Sequence, residues 1–215
     1  MELNGKHLLF DPYISPNALA ENINIKNIKA DYILVSHGHN DHVADVEIIA
    51  KNTGAQLIAC YEVCDWFANQ KEIKNHHPMN CGGSWMFDFG KVKCVTAVHS
   101  SSMPDGSYGG HAIGFLIESD FGNFYYAGDT ALTYDMRLIG EYKKIDVAFL
   151  PIGGNFTMNV DNAIIASEFI NCDKIIGMHY NTFKSIELNK KESIAKFERA
   201  GVELILMNIG ETIKI

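Results

Sequence analysis

The stretch Tyr32-Ile33-Leu34-Val35-Ser36-His37-Gly38-His39-Asn40-Asp41-His42 decides how this chain is read. An apolar run leads directly into three imidazoles and a carboxylate. Residues 30–36 have the look of a buried strand. Residues 43–53 suit a helix with Val43, Val46, Ile49 and Ala50 on one face, ended by Gly54. The polar cluster therefore falls in a strand-to-helix loop, where side chains can converge on one point without disturbing a core. Metal ligation accounts for that density of nitrogen and oxygen donors. The plainer alternative is a helix-capping loop that happens to be rich in histidine.

Size and composition narrow the field. At 215 residues and 47% hydrophobic content, the chain can bury a substantial core, and a single domain over 1–215 is expected. A net charge of −8 argues against a broad nucleic-acid surface, which needs Lys and Arg to displace counterions. No stretch approaches the roughly 20 apolar residues of a membrane span. The opening Met1-Glu-Leu-Asn-Gly-Lys6 lacks the basic-then-apolar pattern of a signal peptide, so a cytoplasmic location is expected. The five cysteines contain no C-x-x-C pair and should be reduced, with Cys94 and Cys172 as small buried hydrophobes.

Further along, strand-like runs cover 6–10, 55–60, 84–89, 91–98, 112–118, 123–127, 145–150, 174–178 and 202–207. Helical segments are expected over 61–70, 133–140, 161–170 and 190–200. Asp88-Phe-Gly90 and Asp120-Phe-Gly122 supply hairpin turns between neighbouring strands. The class is α/β (or α+β), with helices packed outside sheets. Trp85 and Phe87, two apart, should face the core.

The remaining candidate ligands share one kind of position. His99 follows the strand ending at Val98, Asp129 follows the one ending at Ala127, and His179 follows the one ending at Met178. Each is weak by itself, since a lone histidine at a strand end is ordinarily a hydrogen-bonding residue. Together they are stronger, because strands of one layer can deliver such side chains to one edge.

His37-x-His39-x-Asp41-His42, followed in order by His99, Asp129 and His179, resembles the metallo-β-lactamase superfamily. Val98-His-Ser-Ser-Ser102, Tyr126-Ala-Gly-Asp-Thr130, Leu150-Pro-Ile-Gly-Gly-Asn-Phe-Thr-Met158 and Met178-His-Tyr-Asn-Thr-Phe183 are similar to a group of metal-dependent hydrolases related to L-ascorbate-6-phosphate lactonase. The resemblance implies a four-layer αββα sandwich with two divalent ions, zinc being expected and manganese the alternative. By position it assigns His37, His39 and His99 to one ion, Asp41, His42 and His179 to the other, and Asp129 to both. A shared hydroxide would be the nucleophile, with Asp41 and Asp129 the catalytic carboxylates. Ser100–Ser102 then serve as loop hydrogen-bonders. A glutamate in place of His39 would mark flavodiiron relatives, and class B β-lactamases typically lack a histidine in place of His42, so both activities are disfavoured.

His77, Asn155 and Thr157 are the expected substrate contacts, with a solvated loop as the alternative for His77. The family's usual first strand is expected to be missing ahead of Lys6, leaving a sheet edge to pair with another copy in a homo-oligomer. The expected function is hydrolysis of a small ester, lactone or phosphodiester, on a small-molecule substrate without nucleic acid or membrane. The rivals are a nuclease or cyclic-nucleotide phosphodiesterase and a non-catalytic metal sensor.

Overall fold

A computed structural model describes all of the chain, Met1–Ile215. The residues are α/β, in two compact units: Met1–Thr96 with Ser100–Ile113, and Ala97–His99 with Gly114–Ile215. No helix is long and apolar enough to cross a membrane.

The first unit holds a five-stranded sheet. Strands β1 (Glu2–Leu3), β2 (Lys6–Phe10), β3 (Tyr32–Leu34), β4 (Gln56–Cys60) and β5 (His76–Met79) follow one another in spatial order. The β1–β2 pair is antiparallel and the others are parallel. Ile33, Leu34, Leu57, Ile58 and Ala59 are fully buried, which is why β3 and β4 read as continuous apolar runs rather than alternating ones. Because β2 and β3 run the same way, with Phe10 opposite Leu34, their carboxyl ends deliver Asp11 and Ser36–His37 to the same edge. Where one helix is expected, two stand: α1 (Asn40–Val43) and α2 (Val46–Thr53), broken at Ala44-Asp45. Asp45 causes the break by turning its carboxylate to the backbone N–H groups of Ile14 and Ser15. Gly54, at φ 75°, ends α2 as expected. Helix α3 (Tyr61–Gln70) lies on β4 and β5 and buries Val63, Cys64 and Phe67.

Two expectations change here. The segment around His76-His77 is strand β5 rather than a loop; its Pro78 is tolerated because β5 ends the sheet and needs no further partner. Strands β6 (Ser84–Phe87) and β7 (Gly90–Thr96) form the expected hairpin, but Trp85 does not face a core. Trp85 is 56% exposed and Met86 67%. Phe87 stacks on Phe89 and meets Tyr32, whereas a tilted contact with His77 is the ring partner of Trp85. The two-residue period holds; what lies above the face covers only its Phe87 end.

In the second unit, β8 (Ile113–Ser119, from Gly114 onward) and β9 (Gly122–Tyr126) pair antiparallel around the Phe121 turn. Helix α4 (Met136–Tyr142) precedes β10 (Val147–Pro151), and α5 (Val160–Phe169) leads to β11 (Lys174–Met178). Helix α6 (Lys190–Arg199) precedes β12 (Glu203–Ile205). The run β12-β11-β10-β9-β8 is parallel from β12 to β9. Helix α5 packs on β10 between α4 and α6. Gly140 permits the α4–α5 approach, because a Cβ there would sit 2.7 Å from the Phe169 oxygen. With β9, β10 and β11 parallel, their carboxyl ends present Asp129, the Gly153 loop and His179 on one edge.

Candidate metal centre

In the first unit the ligand loop starts from a buried anchor. Val35 N–H extends the sheet pairing to the Ile58 carbonyl at 2.9 Å, and Ser36 N–H donates to Asp11 Oδ1 at 2.7 Å. Gly38 is required by its surroundings: a Cβ would come within 2.6 Å of Met103 Sδ and 3.0 Å of the Ser102 oxygen. Its N–H donates to Ser101 Oγ, which donates in turn to the Gly109 carbonyl. Ser100 Oγ stands 3.4 Å from His39 Nε2, so Ser100 and Ser101 are loop hydrogen-bonders as expected. His39 occupies the N-cap position of α1 without a side-chain cap bond, which removes the helix-capping account of the cluster.

The side chains converge. His37 Nε2 and His39 Nδ1 are 2.9 Å apart, and the His37 and His42 ring centroids are 4.0 Å apart. Asp41 Oδ2 lies 3.7 Å from His42 Nε2. On the far side of that ring, His42 Nδ1 is 2.9 Å from Asp11 Oδ2, and these two side chains are only 5% and 3% exposed. Asp11 is a residue that sequence reasoning missed. Burial alone would raise its carboxyl, but the charge and hydrogen bond of His42, with His37 and Ser36 behind them, hold it below the usual carboxylate range.

The second unit builds its cluster by lacing three strand exits together. Thr130, fully buried, accepts from Val98 N–H at 3.0 Å and donates to the Ala131 carbonyl, while Ala131 N–H returns to the Val98 oxygen. Gly128, at φ 62°, turns the chain out of β9 just before Asp129. The Thr130 carbonyl takes Met158 N–H, tying in the loop after β10. As a result, His99 Nε2 and His179 Nε2 approach the same oxygen of Asp129, at 3.6 and 3.2 Å. His179 sits at φ 53°, in the left-handed region, which swings its ring from β11 toward Asp129. Thr130 and Gly153 also escaped the sequence reading, since Gly-Asp-Thr and Gly-Gly look like ordinary turns.

The expected substrate contacts are more dispersed. His77 stands on β5 between Trp85 and Phe87, whose rings lie 5.0 and 5.1 Å away, and burial among them pushes its imidazole pKa down. Asn155 is exposed at the tip of the Gly153–Asn159 loop with φ 53°, and Thr157 Oγ1 is 3.4 Å from the Met158 oxygen. That loop is fastened to Thr130, next to Asp129.

The donor sets suit a divalent cation. His37, His39, Asp41, His42, His99, Asp129 and His179 make up the candidate metal-binding groups of the chain. Imidazoles with few carboxylates are the ligand chemistry of zinc and its first-row neighbours.

A fold of this type with such donors fits a metallo-hydrolase, and comparison with known proteins agrees. Residues 6–180 match the β-lactamase superfamily domain, and the chain belongs to that family. It is 57% identical over 215 residues to a UPF0173 metal-dependent hydrolase of Flavobacterium johnsoniae, a match spanning 100% of this chain and 95% of the relative. The metallo hydrolase Igni18 of Ignicoccus hospitalis superposes with a TM-score of 0.86 at 32% identity, covering 99% of this chain and 91% of that one. A metallo-β-lactamase superfamily structure from Thermotoga maritima, 20% identical with a TM-score of 0.59, covers 96% and 91% and shares the fold. The chain is a metal-dependent hydrolase.

Proposed function

We propose that the chain hydrolyses a small ester, lactone or phosphodiester, using both clusters around a pair of divalent ions, zinc or manganese. In this reading His37, His39 and His99 hold one ion. Asp41, His42 and His179 hold the other, and Asp129 belongs to both. The observation that carries it is the single Asp129 oxygen approached by imidazoles from two different strands, His99 at 3.6 Å and His179 at 3.2 Å. Such an oxygen has the position a shared carboxylate ligand needs. Bound cations would supply an acidified water and polarise the substrate's electrophilic oxygen.

The protein's own part is positional. Asp11 orients His42 from behind, and Thr130 locks the loops carrying His99 and Asp129. In this reading the loop with Asn155 and Thr157 contacts the substrate. A net charge of −8 favours small substrates over long polyanions. In this reading the enzyme works in the cytoplasm on a small molecule, with a second copy of itself as its macromolecular partner.

Elemental analysis of protein purified without added metal, followed by a hydrolysis panel, tests the proposal. Two ions per chain and turnover of a lactone, ester or bis-p-nitrophenyl phosphate are expected. Asp129→Ala should lose both ions, with hydrolysis falling to background. Metal-loaded protein inert across the panel, or an Asp129→Ala variant keeping two ions and full rate, would overturn it.

A further inference from the structure

We propose that Tyr108, with Tyr61 beside it, is a substrate-binding wall that selects an uncharged ester or lactone bearing a ring over a phosphodiester. This rests on the hydrolytic reading above and narrows its substrate class. Tyr108 lies on a tight hairpin that follows His99. Ser102 and Tyr108 oppose each other in an antiparallel bridge. Met103 N–H closes one side of it on the Ser107 oxygen at 2.9 Å, and Gly109 N–H closes the other on the Ser101 oxygen at 3.2 Å. Trp66 of α3 latches the tip. Its indole N–H donates to Asp105 Oδ2 at 2.8 Å, while Asp105 Oδ1 takes the N–H and hydroxyl of Ser107.

Side chains alternate across such a ladder, and the alternation aims Tyr108. Ser101 and Met103 take the face turned to Gly38: Ser101 Oγ accepts Gly38 N–H, and Met103 is buried against that glycine. Ser100, Ser102 and Tyr108 take the other face, and Ser100 Oγ lies 3.4 Å from His39 Nε2. The face bearing Tyr108 is therefore the one that borders a metal-ligand ring. Tyr108 is still 64% exposed, and neither its hydroxyl nor its ring has a partner in the chain. The latched hairpin keeps that open ring beside the ligand loop.

Tyr61 joins it from α3. Strand β4 is the parallel neighbour of β3, so its exit meets the edge from which the ligand loop leaves. Cys60 Sγ donates to the Gly109 carbonyl at 3.2 Å, so Tyr61 and Tyr108 adjoin the two ends of one contact. Tyr61 is 58% exposed. Charge then decides the substrate class. Residues 99–111 contain no Lys or Arg, and Glu62 Oε2 would stand 2.5 Å from a Cβ on Gly110. Lys71, at the far end of α3, is paired with Glu47 at 3.0 Å. An anionic diester meets a carboxylate and no cation on this wall, whereas two open rings suit a neutral aromatic group.

The test uses the zinc-loaded full-length chain with two lactones, dihydrocoumarin and δ-valerolactone, which differ by a fused ring. Tyr108→Ala should raise KM for dihydrocoumarin roughly 3- to 10-fold, the worth of a ring contact, with kcat and zinc content unchanged. The KM for δ-valerolactone should stay put, and Tyr108→Phe, which keeps the ring, should behave as wild type. An equal rise for both lactones, or a Phe variant as impaired as the Ala one, overturns the proposal. So does a wild-type KM for bis-p-nitrophenyl phosphate below that for dihydrocoumarin. Fluorine NMR of 3-fluorotyrosine-labelled protein adds a readout without turnover. The Tyr108 signal, identified by its loss in Tyr108→Phe, should shift with acetanilide, a neutral ring-bearing amide, and not with diphenyl phosphate. A signal that ignores acetanilide, or moves equally with both, refutes the wall. Protein inert on both lactones and the diester would instead overturn the proposed function, while the fluorine titration would still judge Tyr108.

Discussion

Gly153 lies against the carbonyl of His179 so closely that no side chain fits between them: a Cβ would collide with the His179 oxygen and reach within 2.9 Å of Ile186 Cβ. The loop after β10 thereby braces the residue that ends β11. Gly153→Ala should push His179 away from Asp129. Overpacking of this kind costs about 1–3 kcal/mol, readable by urea denaturation. Under the proposed ligand assignment, metal content measured on the same preparation should fall as well. Unchanged stability with full metal content would show that the backbone yields without moving the ligand.

Thiol chemistry offers a separate check. Burial pushes the Cys60 thiol up to about 11 and the Cys64 and Cys94 thiols up to about 12, and raises Cys172 as well. Cys81 is exposed. At pH 8 a disulfide reagent such as Ellman's should label Cys81 alone in the folded chain and all five cysteines in denaturant. A second fast-reacting thiol under native conditions would contradict this account of the core.

The Tyr32 hydroxyl donates to Asp88 Oδ1 at 2.7 Å, and burial, reinforced by that hydrogen bond, pushes the phenol up to about 12. A raised folded-state value means stability that is fully present below the unfolded phenol value near 10 and lost as pH climbs through the folded one. Tyr32→Phe should therefore cost about 1 kcal/mol at neutral pH. The gap between the two proteins should stay constant to about pH 10 and close toward 12. Denaturation series at pH 7, 9 and 11 would measure it; a gap already gone by the middle value argues against the assigned role of Asp88.

Much of this molecule is legible in its amino-acid sequence. Parallel buried strands announce themselves as unbroken apolar runs, so β3, β4, β10 and β11 were found, along with the residues at their exits. Helix α3 was legible to the residue, because its apolar spacing and flanks agree. What escaped depended on partners remote in sequence. Asp11 looks like the start of an Asp-Pro turn, and only the folded register with Leu34 turns it toward His42. The break between α1 and α2 needs Asp45 to find Ile14 and Ser15. Trp85 obeys the strand period yet faces little, since coverage depends on what lies above a face. Strand β5 was hidden by Pro78, which an outermost strand tolerates.

The backbone enters the second unit at Ala97, returns to the first at Ser100, and leaves again at Gly114. His99 is therefore carried on a three-residue excursion, Ala97–His99, that its own unit claims from the middle of the other's sequence. A gene severed at any one point cannot yield both halves intact: one fragment would always lack a piece it needs or carry a piece belonging elsewhere. Attempts to express either half alone, or to trade halves between relatives, would need three junctions, two flanking that excursion and one before Gly114, rather than a single cut.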